Sequence, residues 1–409
     1  MIRLLHFIHA AVDKSVPHAV VLALIDLSKA FNRVDHLLVI LDLLDMGVPA
    51  WLLKLLISYL TGRSMILRFK GAKSSPKLLP GSSPQGVFLG CFLFMIKFNG
   101  ALLRPSIPRP LPKPEPIMSS TKNSCTVKYI DDATRARSIN LRRSLVRFDI
   151  SDRPRPLEYF EHTGYGLIPE DNLLQEDLNS LKIFTDKNLM KINDKKTEIM
   201  KFNFRKSLDF PPILTIEESC PLKIVEETKL LGIILSCDLK WSLQVDYMHK
   251  RAMKKVWLLR KLKLLDLDLE LLLDFYLKEI RSILEYGAPV WHSGLTRKMS
   301  EKIERVQKLC VKIILCDFSH QTYYTVACTL LGIEPLYLRR TELCIRFIQK
   351  TSLEPKHADM FLKSENTHNT RQETTTYREF TYRSKRFYNS PLCYLTRLLN
   401  RNPVNSKLH

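Results

Sequence analysis

Tyr129-Ile130-Asp131-Asp132 sets two acidic residues side by side where a hairpin is expected to turn. Neighbouring carboxylates repel, so exposing both at one turn is unfavourable without a cation. A divalent metal resolves that conflict, and hard oxygen ligands suit magnesium. Taken alone, the string reads more simply as a solvated Asp-Asp turn. It does not stand alone. Asp26 closes an apolar run at 19–25 and is followed by Leu27-Ser28-Lys29-Ala30-Phe31. An isolated Asp there would serve as a helix N-cap. A third string, Pro80-Gly81-Ser82-Ser83-Pro84-Gln85-Gly86, carries glycines and prolines that permit a close backbone approach to a ligand. Its plainer reading is a turn before a hydrophobic helix at 87–98.

These strings are far apart in the chain, so strands and helices must position them. The run at 19–25 is continuous and apolar, with β-branched residues, which predicts a buried strand with Asp26 at its C-terminal end. Residues 37–59 read as helices broken by Gly47 and Pro49, and residues 65–69 alternate like a strand. Residues 127–130 and those from 133 onward flank the acidic pair as a hairpin. Residues 174–190 are amphipathic, with Leu174, Leu178, Leu181 and Leu189 at helical spacings; 197–202 and 229–235 again read as strands. Residues 105–122 hold six prolines and can form neither a helix nor an inner strand, so they read as a surface excursion. Beyond Trp241 the pattern turns helical. Val245, Met248, Ala252, Val256 and Leu259 make one apolar face; Ile303, Val306, Cys310 and Ile314 make another. An α+β domain followed by an all-helical one is expected.

Composition narrows the class. The 409 residues are 45% apolar and 26% charged, which excludes a wholly disordered chain, a collagen-like chain and a small disulfide scaffold. The formal net charge is +21, which points to a polyanionic partner, nucleic acid or an anionic membrane surface, with a solvated basic surface as the bland alternative. Lys250, Arg251, Lys254, Lys255, Arg260, Lys261 and Lys263 lie in one acid-free segment. On a helix they would flank the apolar stripe and face phosphates, or simply face solvent. The nine cysteines show no CxxC and no zinc-finger spacing, and read as buried thiols of a reducing compartment. No apolar run is long enough to span a bilayer, and the N-terminus is too soon charged for a secretory signal. An intracellular protein of nucleus or cytoplasm is expected, neither secreted nor membrane-bound.

The three strings occur in one order, and as a set they resemble motifs A, B and C of reverse transcriptases from non-LTR (LINE-type) retrotransposons. Motif A is Ala23-Leu24-Ile25-Asp26-Leu27-Ser28-Lys29-Ala30-Phe31, motif B is Ser83-Pro84-Gln85-Gly86 and motif C is Tyr129-Ile130-Asp131-Asp132. Asn193-Asp194-Lys195-Lys196-Thr197 is similar to motif D and Lys229-Leu230-Leu231-Gly232 to motif E. Glu285-Tyr286-Gly287-Ala288-Pro289-Val290-Trp291 and Arg386-Phe387-Tyr388-Asn389-Ser390-Pro391 resemble segments that these elements carry downstream.

The resemblance implies RNA-directed DNA synthesis: attack of a primer 3′-hydroxyl on the α-phosphate of a deoxynucleotide triphosphate, with two magnesium ions, or manganese in their place. Asp26 and Asp131 would be the main metal ligands, Asp132 the accessory one, and the Leu27 carbonyl would complete the nucleotide-side metal. Phe31 would pack under the sugar and exclude a 2′-hydroxyl; as an alternative it is a core residue. Gln85, Gly86 and Tyr129 would contact the nucleotide and template, and Lys196 would protonate or neutralise the pyrophosphate. The implied partners are an RNA template and a DNA primer.

The implied fold is a right-hand polymerase palm, an antiparallel sheet with packed helices, over residues 1–240 with incomplete fingers and the 105–122 insertion. A helical thumb-like domain would follow at 241–350 and a basic C-terminal extension at 351–409. Asn32 stands where the family commonly has Asp, and Ser82 where it has Gly. Only 25 residues precede Asp26, too few for the fingers and endonuclease of the family. A 5′-truncated product, or a partial reading of the gene, is therefore expected. Two rivals follow: a non-catalytic nucleic-acid-binding relic of the same family, and a two-metal nuclease, which needs neither Phe31 nor the Ser-Pro-Gln-Gly turn.

Overall fold

The apolar run before Asp26 is the inner strand of a sheet. The computed structural model describes residues 1–15, 18–79, 81–82, 88–99, 118–121, 124–129, 132–140, 145–147, 165–167, 173–204, 214–216, 221–316, 323–362 and 377–402. Helix α1 (Ile2–Val12) comes first in the chain. Strand β1 (His18–Ile25) follows and is buried at every position but His18 and Leu24. A strand that is apolar on both faces belongs inside a sheet, with both edges paired. Here β1 lies among β2 (Met118–Thr121), β3 (Ser124–Tyr129), β4 (Asp132–Asn140), β5 (Glu198–Phe202) and β6 (Lys223–Ile224), in the order β6-β5-β1-β4-β3-β2. Every pairing is antiparallel except β5 with β6, so the sheet is mixed.

The two faces of β1 are both dry. Ala19, Val21, Ala23 and Ile25 share a core with side chains of α2 (His36–Asp45), α3 (Ala50–Leu60), α4 (Phe88–Asn99) and α5 (Leu173–Lys187). On the other face Val20 stands opposite Phe202 and Leu22 opposite Met200, and all four are buried. Helix α2 begins at Asp35, whose carboxylate accepts a hydrogen bond from the Leu38 N–H at 3.0 Å. Gly47, at φ +74°, ends it, and α3 begins after Pro49. Lys97 of α4, buried, reaches Asp42 of α2 at 2.8 Å.

Arg135 and Arg137 of β4 point to the same side, and both donate to the carboxylate of Asp177 on α5, at 2.7–3.3 Å. One carboxylate thus clasps two guanidinium groups in a buried position and ties α5 to the sheet. Residues 65–69, expected as one strand, instead form part of a hairpin arm, described below. Of the proline-rich stretch at 105–122, residues 118–121 supply the edge strand β2, where prolines nearby do least harm.

The chain divides into two compact units, Val16–Val225 and Met1–Ser15 with Glu226–His409. The helical pattern beyond Trp241 and the implied palm put the boundary at 240. The structural limit is earlier because the hairpin β7 (Glu227–Leu230) and β8 (Ile233–Ser236) packs with α6 (Ser242–Leu264), where Gln244 accepts from the Ile234 N–H at 2.8 Å. That unit also holds helices α7 (Leu269–Phe275), α8 (Arg297–Leu315), α9 (Tyr324–Leu330), α10 (Leu336–Leu353) and α11 (Pro391–Arg401). The apolar faces expected on α6 and α8 are buried in full. The segment beyond 350, expected as a weakly periodic extension, contributes α11, whose Leu392, Leu395, Leu398 and Leu399 are buried. Asp13, just past α1, accepts from the backbone N–H groups of Arg383 and Ser384 at 2.6 and 2.9 Å. Among the described residues no helix is long and apolar enough to cross a membrane.

Candidate active site

Asp26 leaves the sheet where β1 ends, and main-chain bonds hold it there. Its carbonyl accepts from the Asn193 N–H at 2.8 Å, and the Ser28 N–H donates to the Lys191 carbonyl at 2.8 Å. Leu27 thereby pairs with Ile192 as an isolated antiparallel bridge. Neither bond uses the Leu27 carbonyl. Asn193 then turns the chain, accepting from the N–H groups of Lys196 and Thr197, and delivers it into β5. The Thr197 hydroxyl, fully buried, accepts from the Asp26 N–H at 3.3 Å. The strings that resemble motifs A and D are thus bonded to each other, and Lys196 Nζ comes within 4.0 Å of the Asp26 carboxylate.

The sheet register brings the acidic hairpin to the same end. Ile25 stands opposite Ala133, and Tyr129 opposite Asp132 at the end of the β3–β4 hairpin. The backbone of Asp132 therefore lies one step beyond Ala133, as Asp26 lies one step beyond Ile25. Asp131, Gln85 and Gly86 fall outside the described residues, and Tyr129 and Asp132 are placed by their backbone alone.

A cavity of about 600 Å³ opens beside Asp26. Lys29, Arg33, Lys191 and Lys196 line it, with Asp26 the single carboxylate among the described residues. Sequence reading singled out Lys196 alone of these four cations. Lys29 adopts a left-handed backbone, φ 51° and ψ 45°, and starts the short 3-10 helix Ala30–Arg33. Phe31 does two things there: it lines the cavity and its ring lies 4.9 Å from that of Phe94 in the core. The described donors suited to a magnesium ion are hard oxygens, the one-third exposed Asp26 carboxylate and the Leu27 carbonyl. Among the described residues, which exclude Asp131, no three His, Cys, Asp or Glu side chains gather as a metal-holding group.

In the helical unit the strings at 229–232 and 285–291 prove to be packing partners. Lys229-Leu230-Leu231-Gly232 forms the β7–β8 hairpin, expected as one strand. Leu231 and Gly232 both take positive φ, 50° and 81°, as a two-residue turn with right-handed strand twist requires. The Tyr286 hydroxyl donates to the Leu231 carbonyl at 2.9 Å, and the buried Trp291 donates from Nε1 to the Tyr286 carbonyl at 2.9 Å. Between them Gly287 has φ 66°, and a Cβ there would sit 2.6 Å from Ile233 Cδ1. The string at 285–291 thus clamps the hairpin.

On α6, Lys250, Arg251, Lys254, Arg260 and Lys261 are exposed, and Lys255 and Lys263 half-buried. Lys255 pairs with Glu279 at 2.8 Å, which takes up part of its charge. Two aromatics absent from the sequence reading sit among them. Trp257 is 62% exposed, with Lys261 over its ring, and the Tyr247 hydroxyl accepts from Lys229 at 2.9 Å. Their positions on the helix face of Lys250, Lys254 and Lys261 were legible from the spacing. Comparison of the chain with protein-family models and with curated proteins gives no match.

Proposed function

We propose that the chain is a nucleotidyltransferase of the polymerase-palm type, an RNA-directed DNA polymerase domain resembling those of LINE-type retrotransposons. In this reading the sheet unit is the palm and α6 begins the thumb. One observation carries it. Asp26 ends an inner strand in register with the backbone of Asp132 at the end of the β3–β4 hairpin, and it opens on a cavity whose described lining holds four cations. A carboxylate set at the mouth of a cationic cavity suits a substrate that carries both a metal and a polyphosphate. Asp26, Asp131 and Asp132 would hold magnesium, which when bound supplies charge stabilisation at the reacting phosphate. Lys29, Arg33 and Lys191 bind the phosphate tail, and Lys196 neutralises the leaving group. Phe31 sits between cavity and core, so its ring is braced by Phe94 where it meets a sugar.

Primer extension on an RNA template with magnesium tests this. Any extension detected should be abolished by Asp26→Asn, and Phe31→Val should then raise ribonucleotide incorporation by opening space for a 2′-hydroxyl. Extension insensitive to Asp26→Asn would overturn the assignment. Nucleic-acid binding without extension under any condition would favour the non-catalytic relic, which the net charge of +21 supports by itself.

A further inference from the structure

Between α3 and α4 the chain runs out and back as a narrow two-stranded ribbon. Ser64 pairs with Leu78 and Met65 with Lys77; nearer the tip, Arg68 pairs with Lys73 and Phe69 with Ala72. The register shifts by one residue between the two ladders, a bulge in the returning strand. Lys70 and Gly71 close the tip with φ of 46° and 85°. Every residue from 64 to 78 is exposed, including Leu67 at 66% and Phe69 at 73%. A lone hairpin is marginally stable in water, so a ribbon without cover is built to gain it from a partner.

Its charge says which. Arg63, Arg68, Lys70, Lys73 and Lys77 lie on the ribbon, and residues 46–114 contain no Asp or Glu. Arg68 and Lys73 stand directly opposite each other, a like-charge pair that destabilises the ladder until an anion separates them. Strand alternation puts Met65 and its partner Lys77 on the face away from Arg68 and Lys73. Cations therefore occupy both faces. A flat anionic surface meets one face of a ribbon, whereas a groove walled by phosphates meets both. The B-form major groove admits a two-stranded ribbon; the A-form major groove is too deep and narrow. We propose that the ribbon at 63–79 is a DNA-binding arm that enters the major groove of B-form duplex. The inference extends the proposed function to a second nucleic-acid partner, yet it rests on the ribbon alone.

The test is duplex DNA binding by the full chain across a salt series, set against Arg68→Gln/Lys73→Gln/Lys77→Gln. Each lost phosphate contact should flatten the slope of log affinity against log salt by about 0.9, so a change near 2.7 is expected. Independently of any variant, trypsin should cut the unaltered chain at Arg68 and Lys73. Duplex DNA should slow that cleavage more than an RNA–DNA hybrid or anionic lipid vesicles do. A slope unchanged in the triple variant, or equal protection by hybrid or vesicles, would overturn the proposal. Both readouts are binding, so they stand whether or not primer extension is detected.

Discussion

Asp177→Ala should unfold the sheet unit more readily than any surface substitution near it. The carboxylate accepts four N–H groups from Arg135 and Arg137, with the three side chains about nine-tenths buried. Removing it leaves two guanidinium groups without the anion they share. Breaking a buried ion pair costs about 3–5 kcal/mol, a large part of the roughly 5–15 kcal/mol that holds a domain together. Burial opposes ionisation of Asp177, but hydrogen bonds from Arg137 and Arg135 hold its carboxyl below the usual range. A carboxyl depressed in the folded state stabilises fully above its unfolded value and loses that contribution as pH falls through the folded one. The clasp should therefore be intact at neutral pH and fail only below about pH 4. Urea unfolding at pH 7, with amide exchange of peptides from β4 and α5 as the local readout, measures the loss. The companion variant Arg135→Met/Arg137→Met/Asp177→Leu should recover most of it, because apolar replacement of a whole buried cluster is often neutral. If the triple variant is as unstable as Asp177→Ala, or the single one loses less than about 1 kcal/mol, charge pairing is not what fixes α5 to the sheet.

Burial pushes His6 and His292 down to about 4 and His9 to about 3. The helical unit should therefore keep its stability above pH 6.5 and lose it between there and pH 4, and His6→Phe/His292→Phe should move the acid midpoint of near-UV circular dichroism downward; an unmoved midpoint would exclude these rings as the cause. Gly287→Ala should destabilise more than Gly332→Ala. Both have positive φ, 66° and 62°, but only the first Cβ collides, with Ile233 at 2.6 Å; equal denaturation midpoints would discount that contact. Thr197→Val should cost about 1–3 kcal/mol by orphaning the Asp26 N–H. Lys196→Met, at a 72% exposed side chain, should leave the urea midpoint nearly unchanged while lowering any extension rate.

Periodicity made much of this fold legible. β1 follows from a continuous apolar run, the β3–β4 hairpin from strand-like runs on either side of a polar pair, and α5 and the stripes of α6 and α8 from apolar residues at helical spacing. What stayed hidden depends on long-range or exceptional backbone. Lys29 lines the cavity because its own φ is positive, a conformation that its side chain gives no reason to expect. Lys191 joins it only because residues 26–28 pair with 191–193, some 165 positions on in the chain. Leu231 likewise takes a turn position that usually falls to Asn or Gly, so 229–235 read as one strand. Asp13 capping residues 383 and 384 joins the two chain ends by a contact that no local pattern encodes.

The charge of the cavity constrains how the proposed site would load. Its described lining sets four cations against one carboxylate. That field attracts a polyanion and repels a bare divalent ion, so Asp26 by itself is a poor trap for magnesium. In the proposed reading the balance changes when the carboxylates of Asp131 and Asp132 are added, and changes again when a triphosphate brings its own negative charge. Lys196, 4.0 Å from Asp26, fits this order of events. Before loading it offsets the carboxylate. Once phosphate oxygens enter, the same ammonium can turn to them without disturbing Asp26, because main-chain bonds at Asn193 and Ser28 already hold that strand end in place. Side-chain partners at this site could therefore change while the strand end stays fixed, as the proposed catalysis would require.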